Sequence, residues 1–180
     1  MSRRLIPVLT ALLVVAGCSG PGSEESSSPS ASASSASSAQ AADGLPADAV
    51  VTYAFYDSSV PPQYHRSVAL IGTRDEARIV IDSYGDVLAD ESTPMPAGTW
   101  EQLGATLSLL EGLEIEQTEQ GCTGGTSVDL TVIAGTTTVV ALAPEFCAGS
   151  NEAAGAAIDQ WIAPLRALFP PTDVLAPEQP

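Results

Sequence analysis

The hydrophobic and polar positions of this 180-residue chain fall into three regimes. Residues 5–15 form one apolar run, residues 19–45 hold almost no large apolar side chain, and from Pro46 onward short apolar runs alternate with turn residues. In this third regime the period of the pattern assigns the elements. Residues 50–56, rich in Val, Tyr and Phe, read as a strand. Residues 64–71 and 77–82 flank Gly72-Thr73-Arg74-Asp75 and read as a hairpin. Tyr84-Gly85 predicts a turn into another strand at about 86–91.

The period then changes. Trp100, Leu103, Leu107 and Leu110 fall at i, i+3, i+7 and i+10, one apolar helix stripe, and Thr99 with Gln102 fits a capping box at its start. After Gly112 the period returns to two. Leu113 and Ile115 alternate with Glu114 and Glu116, Val128, Leu130 and Val132 repeat the alternation, and 136–143 continues across Ala134-Gly135. A last helix is predicted over 152–169, with Ile158, Trp161, Leu165 and Leu168 facing inward. Pro164 should kink it or restart it, Pro170-Pro171 should end it, and the acidic tail should fray. Strands, helix, strands, helix in that order argue for an α+β domain over 46–180, with two helices on one face of a mostly antiparallel sheet.

The Ser/Ala-rich stretch 19–45 buries too little apolar surface to offset its ordering entropy and reads as a disordered tether. Its 27 residues would span roughly 30 Å as a flexible coil. The apolar run before it is too short to cross a bilayer, which takes roughly 20 residues. Arg3 and Arg4 precede that run, and Ala16, Gly17 and Cys18 end it. The segment resembles the signal peptide and lipobox of bacterial lipoproteins, over residues 1–18 alone. The resemblance implies that residues 1–17 are removed, that Cys18 is acylated, and that 18–45 tethers the domain outside the cytoplasmic membrane.

Charge and missing residue types exclude several chemistries. The formal charge is −16, and loss of Arg3 and Arg4 with a leader leaves four Arg against 22 acids, or −18. Nucleic acid is thereby excluded as a partner, since phosphate binding needs clustered basic groups. Such an acidic surface favours a monomeric domain and weighs against adsorption to anionic lipid. The chain has no Lys and one His. That removes Ser-x-x-Lys sites, P-loop lysines, Schiff bases and His-rich zinc centres. No cofactor motif is present.

Several constellations remain. Cys122 and Cys147 would be the two cysteines left after lipidation of Cys18, at adjacent ends of a predicted hairpin, and in an oxidising compartment they are expected to pair. The glycine-rich stretch 121–126 reads as a loop of positive-φ positions rather than a phosphate cradle, because it lacks the lysine and precedes a strand. Tyr64, His65 and Arg66, with Asp82 and Tyr84 from the neighbouring strand and turn, form the best ligand-binding candidate, and Arg66 and Asp82 are expected to pair across strands. Glu111, Glu114, Glu116 and Glu119 read as a solvated strand face, since no calcium-loop spacing is present; Asp82, Asp86 and Asp90 lack it as well. No catalytic or metal-binding set is identified. These features lead to the expectation of a lipid-anchored binding or interaction module of the bacterial envelope, its partner an envelope protein or a small ligand. The alternatives are an envelope hydrolase built on carboxylates and His65, or a structural envelope protein.

Overall fold

Alternating burial builds the sheet. In the computed structural model, which describes residues 44–117 and 123–178, Val51 and Tyr53 of strand β1 (Ala49–Tyr56) point into the core while Val50 is exposed. The same parity holds for Ala77, Ile79 and Ile81 of β3 (Glu76–Ser83) and for Val128, Leu130 and Val132 of β5 (Thr126–Ala134), with Ile133 exposed. Strands β2 (Ser67–Gly72), β4 (Asp86–Pro94), β6 (Thr137–Leu142) and the two-residue β7 (Glu145–Phe146) complete a seven-stranded antiparallel sheet of order β4-β3-β2-β1-β5-β6, with β7 paired to β5. All described residues belong to one compact unit, 39–180. With its helices this is an α+β fold.

Helix α1 (Ala97–Ala105) leads into a 3-10 turn at Leu107–Leu110, and α2 (Glu152–Arg166) and the single turn α3 (Thr172–Leu175) end the chain. Trp100, Leu103, Leu110, Ile158, Trp161, Ile162 and Leu165 bury their side chains in the same core as the inward strand positions. The Trp161 Nε1–H donates to the Leu103 carbonyl at 2.9 Å and ties α2 to α1. No helix of the described residues is long and apolar enough to cross a membrane.

Several expected elements differ, each for a local reason. The capping box is absent: α1 is capped by Pro96, and the Thr99 N–H donates to the Pro96 carbonyl. Proline's fixed φ turns the chain three residues earlier than Thr99 would. Residues 113–117 form no strand, because the Asn151 side chain takes both the N–H and the C=O of Glu116 that a ladder would need. The Glu114 and Glu116 alternation therefore lies on irregular chain, and Glu119 lies outside the described residues. Strand β2 starts at Ser67 rather than residue 64, since 61–64 turn and the Arg66 N–H donates to Asp57 Oδ2 at 2.9 Å. Helix α2 runs through Pro164 without restarting. Proline removes a donor that would meet the carbonyl of residue 160, and Gln160 lies on the exposed side where water can serve. Residues 172–178 are held in place where fraying is expected. Ala176 is buried, and Arg66 holds its carbonyl and that of Pro177.

Candidate functional site

The residues singled out from the sequence separate into two structural clasps. His65 is buried, its ring stacked on Tyr84 at 3.9 Å and 24°, and its Nδ1 accepts the Tyr84 N–H at 3.3 Å. Tyr84 occupies the left-handed region (φ 53°) of the turn before β4, where Asp82 Oδ1 accepts the Gly85 N–H at 2.8 Å. The Tyr84 hydroxyl donates to the Val60 carbonyl at 2.6 Å, and the Ser83 hydroxyl to that of Pro62 at 2.8 Å. These bonds fasten loop 57–66 to the β3–β4 turn. Tyr64 projects into solvent, half exposed.

Arg66 forms the second clasp. The expected Arg66–Asp82 pair does not form, because the Asp82 carboxylate serves its turn and the guanidinium faces the C-terminal segment. Arg66 donates from Nε to the Ala176 carbonyl (2.7 Å), from Nη2 to that of Pro177 (2.7 Å), and from Nη1 to that of His65 (2.6 Å). The cross-strand ion pair present in this sheet is instead Arg78 with Asp90, bidentate and exposed. It holds the Asp90 carboxyl below its usual range through the Arg78 hydrogen bonds.

Cys18 and Cys122 lie outside the described residues. Cys147 follows β7, and its N–H donates to Ser150 Oγ at 2.9 Å. Gly124, within the glycine-rich stretch, has φ +76°, as a loop built on positive-φ positions requires.

A cleft that the sequence did not reveal opens beside α2. Strand register sets two successive rows of inward side chains across β3, β2, β1 and β5: Ile79, Leu70, Tyr53, Leu130, and then Ile81, Val68, Phe55, Val128. The first row is buried throughout, whereas Phe55 and Val68 of the second stay half-buried. Over them lies a cavity of about 1070 Å³, bounded by the flank of α2 from Glu152 to Arg166, by Phe146 of β7, and by residues 169–172. This is slightly above the roughly 300–1,000 Å³ usual for small-molecule sites. Gly155 makes one wall. A Cβ there would sit 2.6 Å from Phe146 Cε1, so the absent side chain lets the Phe146 ring lie against the helix.

Asp57, Arg66 and Glu152 also line this cleft, and a polar cluster of Tyr53, Asp159 and Arg166 sits toward one end of it. Arg166 Nη2 donates to the Tyr53 hydroxyl at 2.9 Å and to Asp159 Oδ1 at 3.4 Å, and the guanidinium carbon lies 5.3 Å from the centre of the Tyr53 ring. Burial pushes the Tyr53 phenol above its ordinary value, with Arg166 opposing. Tyr53 therefore keeps its proton across the neutral range. Among the described residues, no group of three or more His, Cys, Asp or Glu side chains is arranged to hold a metal ion.

The signals for Tyr53 and Arg166 were faint but present. Tyr53 is an inward position with a polar tip on an otherwise apolar strand face, and Arg166 directly follows the inward Leu165. No protein-family model matches this chain, and no curated protein matches it in sequence.

Proposed function

We propose that this chain is a lipid-anchored, extracytoplasmic binding module of a bacterial envelope, and that the cleft beside α2 receives a small, mostly apolar ligand. The observation that carries the reading is the cleft itself, a concave and mostly apolar surface with a few polar groups, Tyr53 and Arg166 among them, the arrangement usual for ligand sites. The leader-like residues 1–18 and the Ser/Ala-rich stretch support the anchor and tether. A tethered module gains effective concentration near membrane-bound partners. The reading takes the fold as two main helices on one face of the sheet, in the order strands, helix, strands, helix, with α3 an added clasp. Hydrolysis by paired carboxylates is less well supported, because both Asp57 oxygens already accept backbone N–H groups, from Ser58 and Arg66.

Two experiments test the parts separately. Cys18→Ser should move the protein from the membrane fraction to the soluble one and abolish labelling by an alkyne fatty acid; unchanged partitioning and labelling would refute the anchor. For the cleft, the full chain carrying Cys18→Ser is titrated with the neutral fluorophore N-phenyl-1-naphthylamine. Saturable enhancement is expected, with loss of at least tenfold in affinity for Ala156→Trp, whose indole would fill the space beside α2. Equal binding by both proteins, or none by either, would refute the site.

A further inference from the structure

The cleft specifies more than an apolar guest. Its α2 wall recurs at Gly155, Ala156, Asp159, Ala163 and Arg166, and from Glu152 to Arg166 the helix rises roughly 20 Å. The cavity is therefore elongated along α2, with Phe146 near Gly155 toward one end and Tyr53 with Arg166 toward the other. Phe55, Val68 and Val128 line its floor. A long chain fits this form better than a compact ring.

The Arg166 end is rich in donors. The Tyr53 hydroxyl already accepts from Arg166 Nη2, so its own proton is directed elsewhere. Among the described residues, Nε and Nη1 of Arg166 donate to no protein acceptor, and the one carboxylate in contact, Asp159, is a loose 3.4 Å partner whose side chain is 63% exposed. A half-exposed pair of this kind holds its cation weakly. The other cleft acids do not compete at that end. Both Asp57 oxygens are taken by backbone N–H groups, and Glu152 stands some four helical turns away. Each guanidinium nitrogen of Arg66 already donates to a carbonyl, which commits this side chain to the C-terminal segment. What is missing at Arg166 and Tyr53 is an anionic acceptor with two oxygens, which a guanidinium receives in paired hydrogen bonds.

We propose that the cleft binds a long-chain carboxylate, its head received by Arg166 and the Tyr53 hydroxyl and its chain laid along α2 toward Phe146. This assignment rests on the cleft being a ligand site, as proposed above. The chemistry is that of a single acyl chain with a free carboxylate, and a diacyl lipid lacking one is not its ligand. Asp159 acts as the competitor that the ligand displaces from Arg166.

The test displaces N-phenyl-1-naphthylamine from the full chain carrying Cys18→Ser, using palmitate, hexadecanol and hexadecylamine below their aggregation concentrations. Palmitate is expected to displace at least tenfold better than hexadecanol, the weight of a charge-assisted hydrogen bond, and hexadecylamine worst. Arg166→Gln should reduce the palmitate-to-hexadecanol ratio to about one. Asp159→Asn, an exposed change that spares the core, should raise that ratio severalfold. If the probe enters the cleft and Ala156→Trp blocks it, yet palmitate and hexadecanol compete equally, the headgroup assignment fails while the ligand site stands. If the probe does not bind in the cleft at all, both fail.

Discussion

Trp161→Ala is expected to cost at least about 3 kcal/mol of folding stability, the largest effect of any single change in the core. Trp161 is fully buried on α2, and a Trp or Phe truncated to Ala in such a place loses roughly 3–5 kcal/mol through lost transfer energy and the cavity left behind. A second loss adds to it. The Leu103 carbonyl lies at the end of α1 and accepts the indole N–H, so the alanine variant also removes the donor and leaves this carbonyl unpaired. A domain of this size holds only about 5–15 kcal/mol in total, so the variant gives up a large fraction of it. Urea unfolding followed by circular dichroism measures it. At a slope of about 2 kcal/mol per molar, the midpoint should fall by more than roughly 1.5 M. Trp161→Phe separates the two losses, since it keeps most of the buried area and loses the hydrogen bond. A midpoint for Trp161→Ala within experimental scatter of the parent would contradict the packing of α2 on α1.

Gly104→Val should destabilise by at least about 2 kcal/mol, against what helix propensity alone suggests. Glycine inside a helix costs roughly 1 kcal/mol relative to Ala, so propensity favours replacing it. Packing decides otherwise. A Cβ on Gly104 would stand 2.5 Å from Gly44 Cα and 2.5 Å from the Leu45 nitrogen. Both are backbone atoms and cannot rotate away, so either α1 or the segment entering β1 must shift. Overpacking of this kind costs typically 1–3 kcal/mol, and a branched side chain widens the clash. Gly98 provides the contrast on the same helix, since nothing lies within 4 Å of its Cβ position. Gly98→Ala is therefore expected to be neutral or to stabilise by up to about 1 kcal/mol. Thermal unfolding of both variants checks the pair. Stabilisation by both would mean that Gly44 and Leu45 do not pack on α1.

These two positions show what the sequence could and could not carry. Strand β5 was legible because Val128, Leu130 and Val132 alternate with wet positions, β1 from its Val, Tyr and Phe content, and β3 and β6 from the turns that set them beside their neighbours. The inward stripe of α2 was legible for the corresponding reason at a period of 3.6. The same rule misassigned Leu113 and Ile115, because alternation describes which side is wet and not whether a neighbouring strand exists. Asn151, thirty-five residues from Glu116, decided that. Thr99 and Gln102 satisfied a capping pattern that Pro96 had already pre-empted. The two-residue β7 is too short to leave a period.

The site was less legible than the fold. Tyr64, His65 and Arg66 stood out as a polar-aromatic cluster, yet His65 and Arg66 are consumed holding loop 57–66 and the C-terminal segment in place. The cleft depends on where the helices leave Phe55 and Val68 half covered, a tertiary fact with no local signature. Taken singly, Tyr53 is an aromatic on an inward strand position and Arg166 a charge at a helix C-terminus, and only their meeting across 113 residues gives them a shared role.

The most direct test of the central claim is a map of ligand-induced shifts in the amide and methyl spectra of the isotope-labelled full chain carrying Cys18→Ser, titrated with palmitate. Shifts concentrated at Phe55, Val68, Val128, Phe146 and Ala163, with Arg166 and Tyr53 among the largest, are the predicted result. Shifts centred instead on the exposed outer positions Val50, Ile133 and Val139, or no saturable shifts anywhere, would contradict it.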